Sequence, residues 1–223
     1  TQRLCPCGHS RSQKPLVRQA GFTNILMKEL SQRANNHSTI KFLQEIEQSR
    51  YKMANVVDDL LLLANVRTQE VVMEAPDMVT IIAQVRHRLS GLIEKHQGKI
   101  TAPPSWPVVW GYTPWIEKVW EIYISNGLEY GGRPPRLELG ASTDKSNHIR
   151  FWVQDNGPGL SSEQQKHLFV PFSHIGQARI IEEGYGLKLS IVRLVVEKCG
   201  GWVGVESQIG RGSCFYFTLP AIG

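Results

Sequence analysis

Residues 149–159 read IRFWVQDNGPG, and this stretch decides how the C-terminal half of the chain is interpreted. Residues 149–153 are rich in β-branched and aromatic side chains, which predicts a strand that ends at Asp155. The run that follows it, Asp155-Asn156-Gly157-Pro158-Gly159, has the composition of a tight turn. Such a run is common in isolation, so its meaning depends on the motifs around it.

Two further glycine clusters border predicted regular elements. Residues 184–189, GYGLKL, open a helix predicted over 187–198, and residues 210–213, GRGS, precede a strand predicted over 213–219. Glycines let a backbone approach a ligand closely, and a helix N-terminus offers free N–H groups to phosphate. The first of these clusters alone is equally compatible with a plain turn, and the second alone indicates only a hairpin turn.

Asn126 lies upstream of these clusters, inside a helix predicted over 115–130. Asparagine is a poor residue for the middle of a helix, because its amide competes for backbone hydrogen bonds. Its carboxamide oxygen is, however, a suitable ligand for Mg²⁺, a hard cation that prefers oxygen. Asn126 is therefore a candidate metal ligand.

The N-terminal third of the chain has the period of amphipathic helices. One helix is predicted over 16–30, the polar residues 31–39 form a turn, and a second helix is predicted over 43–64. The apolar positions of the second helix step by three and four, at Leu43, Ile46, Met53, Val57, Leu60 and Ala64. Two such helices form an antiparallel hairpin, and pairing of two copies would bury the stripe in a four-helix bundle. Packing of the hairpin on its own chain is the alternative.

The charged, proline-terminated stretch 68–76 separates this segment from the rest of the chain. It predicts a helical hairpin over 1–67, a linker over 68–76 and a second domain over 77–223. The second domain has a helix predicted over 78–95 and then strands mixed with helices, which indicates an α/β sandwich with one largely antiparallel sheet. The fold class is thus α+β, a helical hairpin followed by this sandwich.

Composition narrows the functional classes. The chain has 223 residues, a net charge of +5 and a pI near 9.1, but the basic residues are scattered, which favours a solvated surface over nucleic-acid binding. No apolar run approaches the about 18 residues of a membrane span, and the residues that open the given sequence lead us to expect no signal peptide. The cysteine usage fits a reducing compartment, so we expect the cytoplasm. Cys5, Cys7 and His9 could begin a metal site, although no second ligand pair follows at zinc spacing.

Taken in order, the motifs resemble the N, G1, F, G2 and G3 boxes of the histidine-kinase ATP-binding domain. The matching residues are Asn126, Asp155-x-Gly157-x-Gly159, Phe169 with Phe172, Gly184-x-Gly186-Leu187 and Gly210-x-Gly212-Ser213. The first segment is similar as well, since Lys14-Pro15-Leu16 and residues 53–61 resemble the dimerisation and phosphoacceptor helices. The related gyrase-type ATPases lack that hairpin, so the chain resembles the transmitter of a sensor histidine kinase.

The resemblance implies a role for each motif. Asp155 would accept a hydrogen bond from the adenine amino group, Gly157 and Gly159 would let the loop pass close to the base, and Asn126 would hold Mg²⁺. The implied nucleotide-binding set is Asn126, Tyr130, Asp155, Gly157, Gly159, Phe172, Gly184, Tyr185, Gly186, Leu187, Lys188 and Ser213. The implied cofactors are ATP and Mg²⁺, and the implied partners are a second copy of the chain and a response-regulator receiver domain.

The phosphoacceptor region departs from the family pattern. The family places its histidine five residues before the helix-kinking proline, but Ser10 occupies that position relative to Pro15, and His9 is its neighbour. Either a one-residue insertion restores His9 as the acceptor, or the acceptor is lost. No acidic residue follows His9 to act as general base, a role worth about 10²–10⁴ in rate. The predicted catalytic residues are His9 and Asn126.

The ATP site also departs from the pattern at three positions. Ile122 replaces a residue that the family usually keeps as asparagine, Glu129 replaces a phosphate-contacting lysine, and Lys188 replaces the third glycine of the G2 box. Lys188 could supply part of the missing positive charge, or it could crowd the backbone. The sequence therefore predicts an ATP-dependent protein-histidine kinase, with a degenerate kinase that signals through nucleotide or partner binding as the alternative.

Overall fold

The computed structural model describes residues 37–143, 147–170 and 187–222, with the side chains of 37–40 and 51–52 outside that description. The helix predicted over 16–30 and His9 lie outside the described residues, so the hairpin stays a prediction. The helix predicted over 43–64 is confirmed as α1 (His37–Thr68), with 32 residues. It begins inside the stretch predicted as a turn to residue 39, because residues 37–42 contain no glycine or proline that would stop it.

The chain divides into two compact units, and the division falls between Leu61 and Leu62, within α1. The last turns of α1 belong to the C-terminal unit, where Val66 is fully buried and Leu62 and Leu63 pack against the same core. The N-terminal part of α1 carries exposed apolar side chains, namely Phe42, Ile46, Met53, Leu60 and Leu61.

The C-terminal unit alternates helices and strands along the chain. The elements are α2 (Met78–Arg88), α3 (Ser90–His96), β1 (Lys99–Thr101), α4 (Thr113–Tyr130), β2 (Arg136–Thr143), β3 (His148–Gln154), α5 (Ser162–His167), α6 (Lys188–Lys198), β4 (Val203–Ser207) and β5 (Ser213–Pro220). The prediction of a single helix over 78–95 is wrong in one respect. The helix is interrupted at Leu89, which separates α2 from α3. The short elements β1 and α5 were not predicted.

The five strands form one mixed sheet in the order β1-β2-β3-β5-β4. The β1–β2 pair is parallel and the other three pairs are antiparallel, which confirms the expected antiparallel-rich sheet of an α+β fold. Alternate residues of β3, namely Ile149, Phe151 and Val153, are buried on the face that carries the core.

Helix α4 forms the centre of that core. Trp120 and Tyr123 are almost completely buried, and the Trp120 ring meets those of Phe151 and Phe217 edge-on. Gly127 permits close packing on β2, because a Cβ there would lie 2.6 Å from the Leu137 side chain. The last turn of α4 is thereby held against the sheet. Within the described residues, no helix has both the length and the apolarity needed to cross a bilayer.

Candidate functional site

The carboxylate of Asp155 is held at the end of β3. Its Oδ1 accepts hydrogen bonds from the backbone N–H groups of Gly157 (2.7 Å) and Ser213 (3.1 Å). The residue is 9% exposed, and this burial raises the pKa of the Asp155 carboxyl above its ordinary value, although the two N–H groups act in the opposite direction. No donor among the described residues reaches Oδ2. One oxygen is thus fixed by the protein, and the other is left for a donor from a ligand.

The loops that carry two of the glycine clusters lie directly against each other. Gly159 has a φ of +72°, and a Cβ there would lie 2.0 Å from the Gln208 carbonyl oxygen. Gly212 has a φ of +82°, and its Cβ would lie 2.1 Å from the Asp155 carbonyl oxygen. Only glycine combines this backbone conformation with such close approach. The structure therefore brings together clusters that are about fifty residues apart in the sequence and shows why each needs glycine.

Ser207, which the sequence did not single out, joins these two loops. Its Oγ accepts from the Leu160 N–H (2.8 Å) and donates to the Gly212 carbonyl (2.9 Å). The same Oγ lies 2.9 Å from the Ser213 hydroxyl. Ser213, predicted to contact nucleotide, is 4% exposed and positions Asp155 through its backbone N–H. Leu160 lies 47 positions from Ser207, so no local sequence pattern indicates this contact.

The C-terminal end of α4 borders the 155–159 loop. A Cβ on Gly157 would lie 3.0 Å from the Tyr130 carbonyl oxygen and 3.1 Å from Gly131 Cα. The Tyr130 side chain is 53% exposed. Asn126, about one turn earlier, is half-buried, and its carboxamide has no hydrogen-bond partner among the described residues. Ile122, a turn before that, is buried in the core.

Asn156 holds the 155–159 loop against the segment that follows α4. Its Oδ1 accepts from the N–H groups of Gly132 (3.2 Å) and Arg136 (2.7 Å), and its Nδ2 donates to the Pro134 carbonyl (3.2 Å). The loop that follows α4 is thereby tied to the residue next to Asp155. The sequence indicated only a turn residue here, because the three partners lie at least twenty positions away.

Helix α6 packs against α4 and begins within the 184–189 cluster, at Lys188. Leu187 is buried and occupies the N-cap position without a side-chain hydrogen bond to the helix N–H groups. Lys188, the next residue, is half-buried. The remaining predicted site residues, His9, Phe172, Gly184, Tyr185 and Gly186, lie outside the described residues.

The described residues have the chemistry that an adenine nucleotide requires. Oδ2 of Asp155 suits an amino donor such as that of adenine, whereas the carbonyl of guanine would present a second acceptor to a carboxylate. No group of three or more His, Cys, Asp and Glu side chains in the described part of the chain could hold a metal ion. A Mg²⁺ ion at Asn126 would therefore take its other ligands from phosphate and water, as this ion commonly does.

The chain is similar to known ATP-binding proteins. The family described as "Histidine kinase-, DNA gyrase B-, and HSP90-like ATPase" matches residues 111–222. The methanogenesis regulatory histidine kinase FilI of Methanothrix harundinacea is 31% identical over 211 residues, a match that covers 93% of this chain and 23% of that protein. The chain therefore spans about a quarter of this curated relative's length.

Two solved structures share the fold. Full-length ShkA in complex with AMPPNP has a TM-score of 0.68 at 20% identity, over 93% of this chain and 46% of that one. The Acinetobacter baumannii histidine kinase AdeS has a TM-score of 0.65 at 18% identity, over 95% and 97% of the respective chains. With the family match over residues 111–222, these findings lead to one conclusion: the chain belongs to the histidine kinase-, DNA gyrase B- and HSP90-like ATPase family and contains a histidine-kinase ATP-binding domain.

Proposed function

We propose that the chain is the transmitter of a sensor histidine kinase that binds Mg-ATP, phosphorylates itself on His9 and passes the phosphoryl group to an aspartate of a response-regulator receiver domain. The observation that carries the proposal is the buried Asp155 carboxylate, whose Oδ1 is fixed by two backbone N–H groups. Burial of a carboxylate with one oxygen that lacks a donor is costly to the fold. Its presence therefore points to a function.

The adenine base would lie against the 155–159 loop, beside the end of α4. In this position its amino group would donate to Asp155 Oδ2, while Gly157 and Gly159 allow the closely packed loop path that presents this oxygen. Tyr130, which is half-exposed at the end of α4, would line the opening. Phe172, Gly184, Tyr185 and Gly186 complete the proposed nucleotide set.

The phosphates would lie between Asn126 and the first turn of α6. The carboxamide oxygen of Asn126 would hold Mg²⁺, and the N–H groups and positive dipole end of α6 would face the phosphates. The Lys188 ammonium adds a positive charge at the same helix end. In phosphoryl transfer the protein contributes chiefly position and charge stabilisation, and these groups supply both.

The phosphoacceptor segment would act as a dimer. Residues 1–67 would form the hairpin, and the exposed apolar side chains of α1, including Phe42 (63% exposed) and Ile46 (54% exposed), would be covered by a second copy. The alignment with the histidine kinase FilI supports a shared architecture, since it covers 93% of this chain and therefore extends beyond the ATP-binding domain. A cytoplasmic location, where ATP and receiver domains are available, is part of the proposal.

Calorimetry tests the nucleotide part of the proposal. We expect Mg-dependent binding of ATP and ADP with a dissociation constant in the range of about 1 μM to 1 mM, typical of enzyme substrates, and no comparable binding of GTP. Absence of heat with ATP and ADP in the presence of Mg²⁺ would refute it. Equal affinity for GTP would refute the role assigned to Asp155.

A second function, a degenerate kinase that signals by binding nucleotide or partner, is favoured by one observation. Ile122 is 3% exposed and part of the hydrophobic core, so this position provides no polar group toward the phosphates. Binding of ATP without any phosphorylated product, under conditions in which the protein is folded and dimeric, would identify this function.

A further inference from the structure

Lys198, the last residue of α6, binds the end of another helix. Its Nζ donates to the carbonyl oxygens of Arg67 (3.2 Å) and Gln69 (3.0 Å). These carbonyls lie at the C-terminal end of α1, where the last turn has no partners within the helix and the dipole is negative. A lysine is well suited to this position because an ammonium group satisfies several acceptors at once.

The same ammonium group also faces the beginning of α4. It lies 5.8 Å from the centroid of the Trp115 ring, within the range of a cation–π interaction. Trp115 is 3% exposed and packs edge-on against Tyr112, so the ring has a fixed position. One side chain at the end of α6 therefore contacts both the end of α1 and the start of α4, all within the C-terminal unit.

The far ends of α4 and α6 carry the candidate nucleotide site. Asn126 is eleven positions beyond Trp115 on α4, and Lys188 is ten positions before Lys198 on α6. At about 1.5 Å per residue, both helices place their site residues about 15 Å from the Lys198 contact. Helices α4 and α6 thus connect the candidate nucleotide site with the end of α1 over similar lengths.

We propose that Lys198 is a positioning residue, which clamps the last turn of α1 onto α4 and α6 so that displacements of the nucleotide-bearing helix ends reach α1. The inference rests on the proposed function, because it assumes that phosphorylation needs α1 held in one register. Val66, with Leu62 and Leu63, anchors only the apolar side of α1, and apolar packing tolerates small axial shifts that hydrogen bonds to two carbonyls do not.

Arg193 provides a matched control on the same helix. It is an exposed cation, but its Nε pairs with Glu197 of α6 itself at 2.7 Å. Replacement of either Lys198 or Arg193 by methionine removes one positive charge and keeps an apolar stem. Only Lys198→Met removes a contact with the end of α1.

Hydrogen exchange of the full chain tests the clamp without reference to enzyme activity. In Lys198→Met we expect the amides of residues 66–70, including the Gln69 N–H that bonds the Asn65 carbonyl at 2.8 Å, to exchange about three- to tenfold faster, as loss of exposed charge-assisted hydrogen bonds implies. In Arg193→Met they should exchange as in the wild type. Wild-type exchange in Lys198→Met would overturn the clamp. Lys198→Gln, which removes the charge and shortens the side chain but keeps an amide NH₂ group, gives the same test should the methionine variant fold poorly.

Phosphorylation then tests the positioning role. Lys198→Met should keep the dissociation constant for ATP within about twofold, while the rate of phosphohistidine formation falls about tenfold, a change of about 1.4 kcal/mol. Lys198→Arg should restore part of the rate. An unchanged rate together with faster exchange would overturn the proposal. A wild-type chain that forms no phosphohistidine would refute the proposed function instead, and the exchange result would still decide whether the clamp exists.

Discussion

Replacement of Asp155 by asparagine removes one charge and one acceptor from the proposed adenine site, and it is close to isosteric. The asparagine Oδ1 can still accept from the N–H groups of Gly157 and Ser213, so the loop should keep its shape. The amide nitrogen takes the place of Oδ2. A donor then faces the amino group of adenine, which is also a donor, and the proposed hydrogen bond cannot form.

The size of the effect follows from the hydrogen bond that is lost. A bond to a charged partner contributes about 1.5–3 kcal/mol, which corresponds to about 10- to 150-fold in the dissociation constant. The opposed donors add to this loss. We therefore expect Mg-ATP affinity to fall by at least about tenfold.

The stability of the variant should change in the opposite sense. Burial raises the pKa of Asp155, so its contribution to folding is fully present below the pKa of the unfolded chain and is lost as the pH rises through the raised folded pKa. Asparagine carries no charge at any pH. Asp155→Asn should therefore be at least as stable as the wild type at neutral pH, and this advantage should shrink as the solution is made acidic.

Calorimetry with Mg-ATP and urea denaturation at neutral and acidic pH check both expectations. Glu138→Gln is the control, because Glu138 is an exposed carboxylate on β2 and its loss changes the net charge equally. ATP affinity of folded Asp155→Asn within threefold of the wild type would refute the adenine assignment. A loss of more than about 2 kcal/mol in stability at neutral pH would refute the argument from burial.

Three other substitutions test separate parts of the account. Gly159→Ala should destabilise the fold by at least about 2 kcal/mol more than Gly210→Ala in urea denaturation, because both have positive φ but only Gly159 lies against a backbone oxygen; equal losses would contradict the loop packing. Asn156→Ala should weaken ATP binding in calorimetry, because the loop after α4 loses three hydrogen bonds; wild-type affinity would contradict this. In light scattering, Ile46→Glu should shift the proposed dimer to monomer. The fragment 62–223, which keeps buried Val66, should also be monomeric. If Ile46→Glu remains dimeric, α1 does not form the dimer interface.

The long elements of the C-terminal unit were predictable from local pattern. Helix α4 and strand β3 follow from the density and alternation of their apolar residues, and the structure confirms both within two residues of the predicted ends. Helix α5 was missed although its signal was present, since Ser161 and Gln164 form a capping box. The break at Leu89 is followed by Gly91, a weak helix former whose presence is consistent with a break at this point.

The sequence shows the order of the candidate site residues but not the residues that support them. Asp155 and the glycines carry a recognisable order, and the structure adds the physical reason for Gly159 and Gly212. The partners of Asn156, and Leu160 as a partner of Ser207, are distant in sequence, so no local pattern distinguishes Asn156 and Ser207 from ordinary turn residues. Lys198 binds backbone carbonyls, which every residue has, so the sequence gives no sign of its partner.

Incubation of the full chain with γ-labelled ATP and Mg²⁺ tests the proposed histidine kinase activity most directly. Neutral imidazole is already a nucleophile near its pKa of about 6.5, whereas the Ser10 hydroxyl needs deprotonation and the sequence around it contains no acidic residue to act as base. The account predicts slow incorporation of a label that is lost in acid and survives base, is absent from His9→Gln and is retained in Ser10→Ala. An acid-stable label that disappears in Ser10→Ala, or no label at all while ATP still binds, would contradict it.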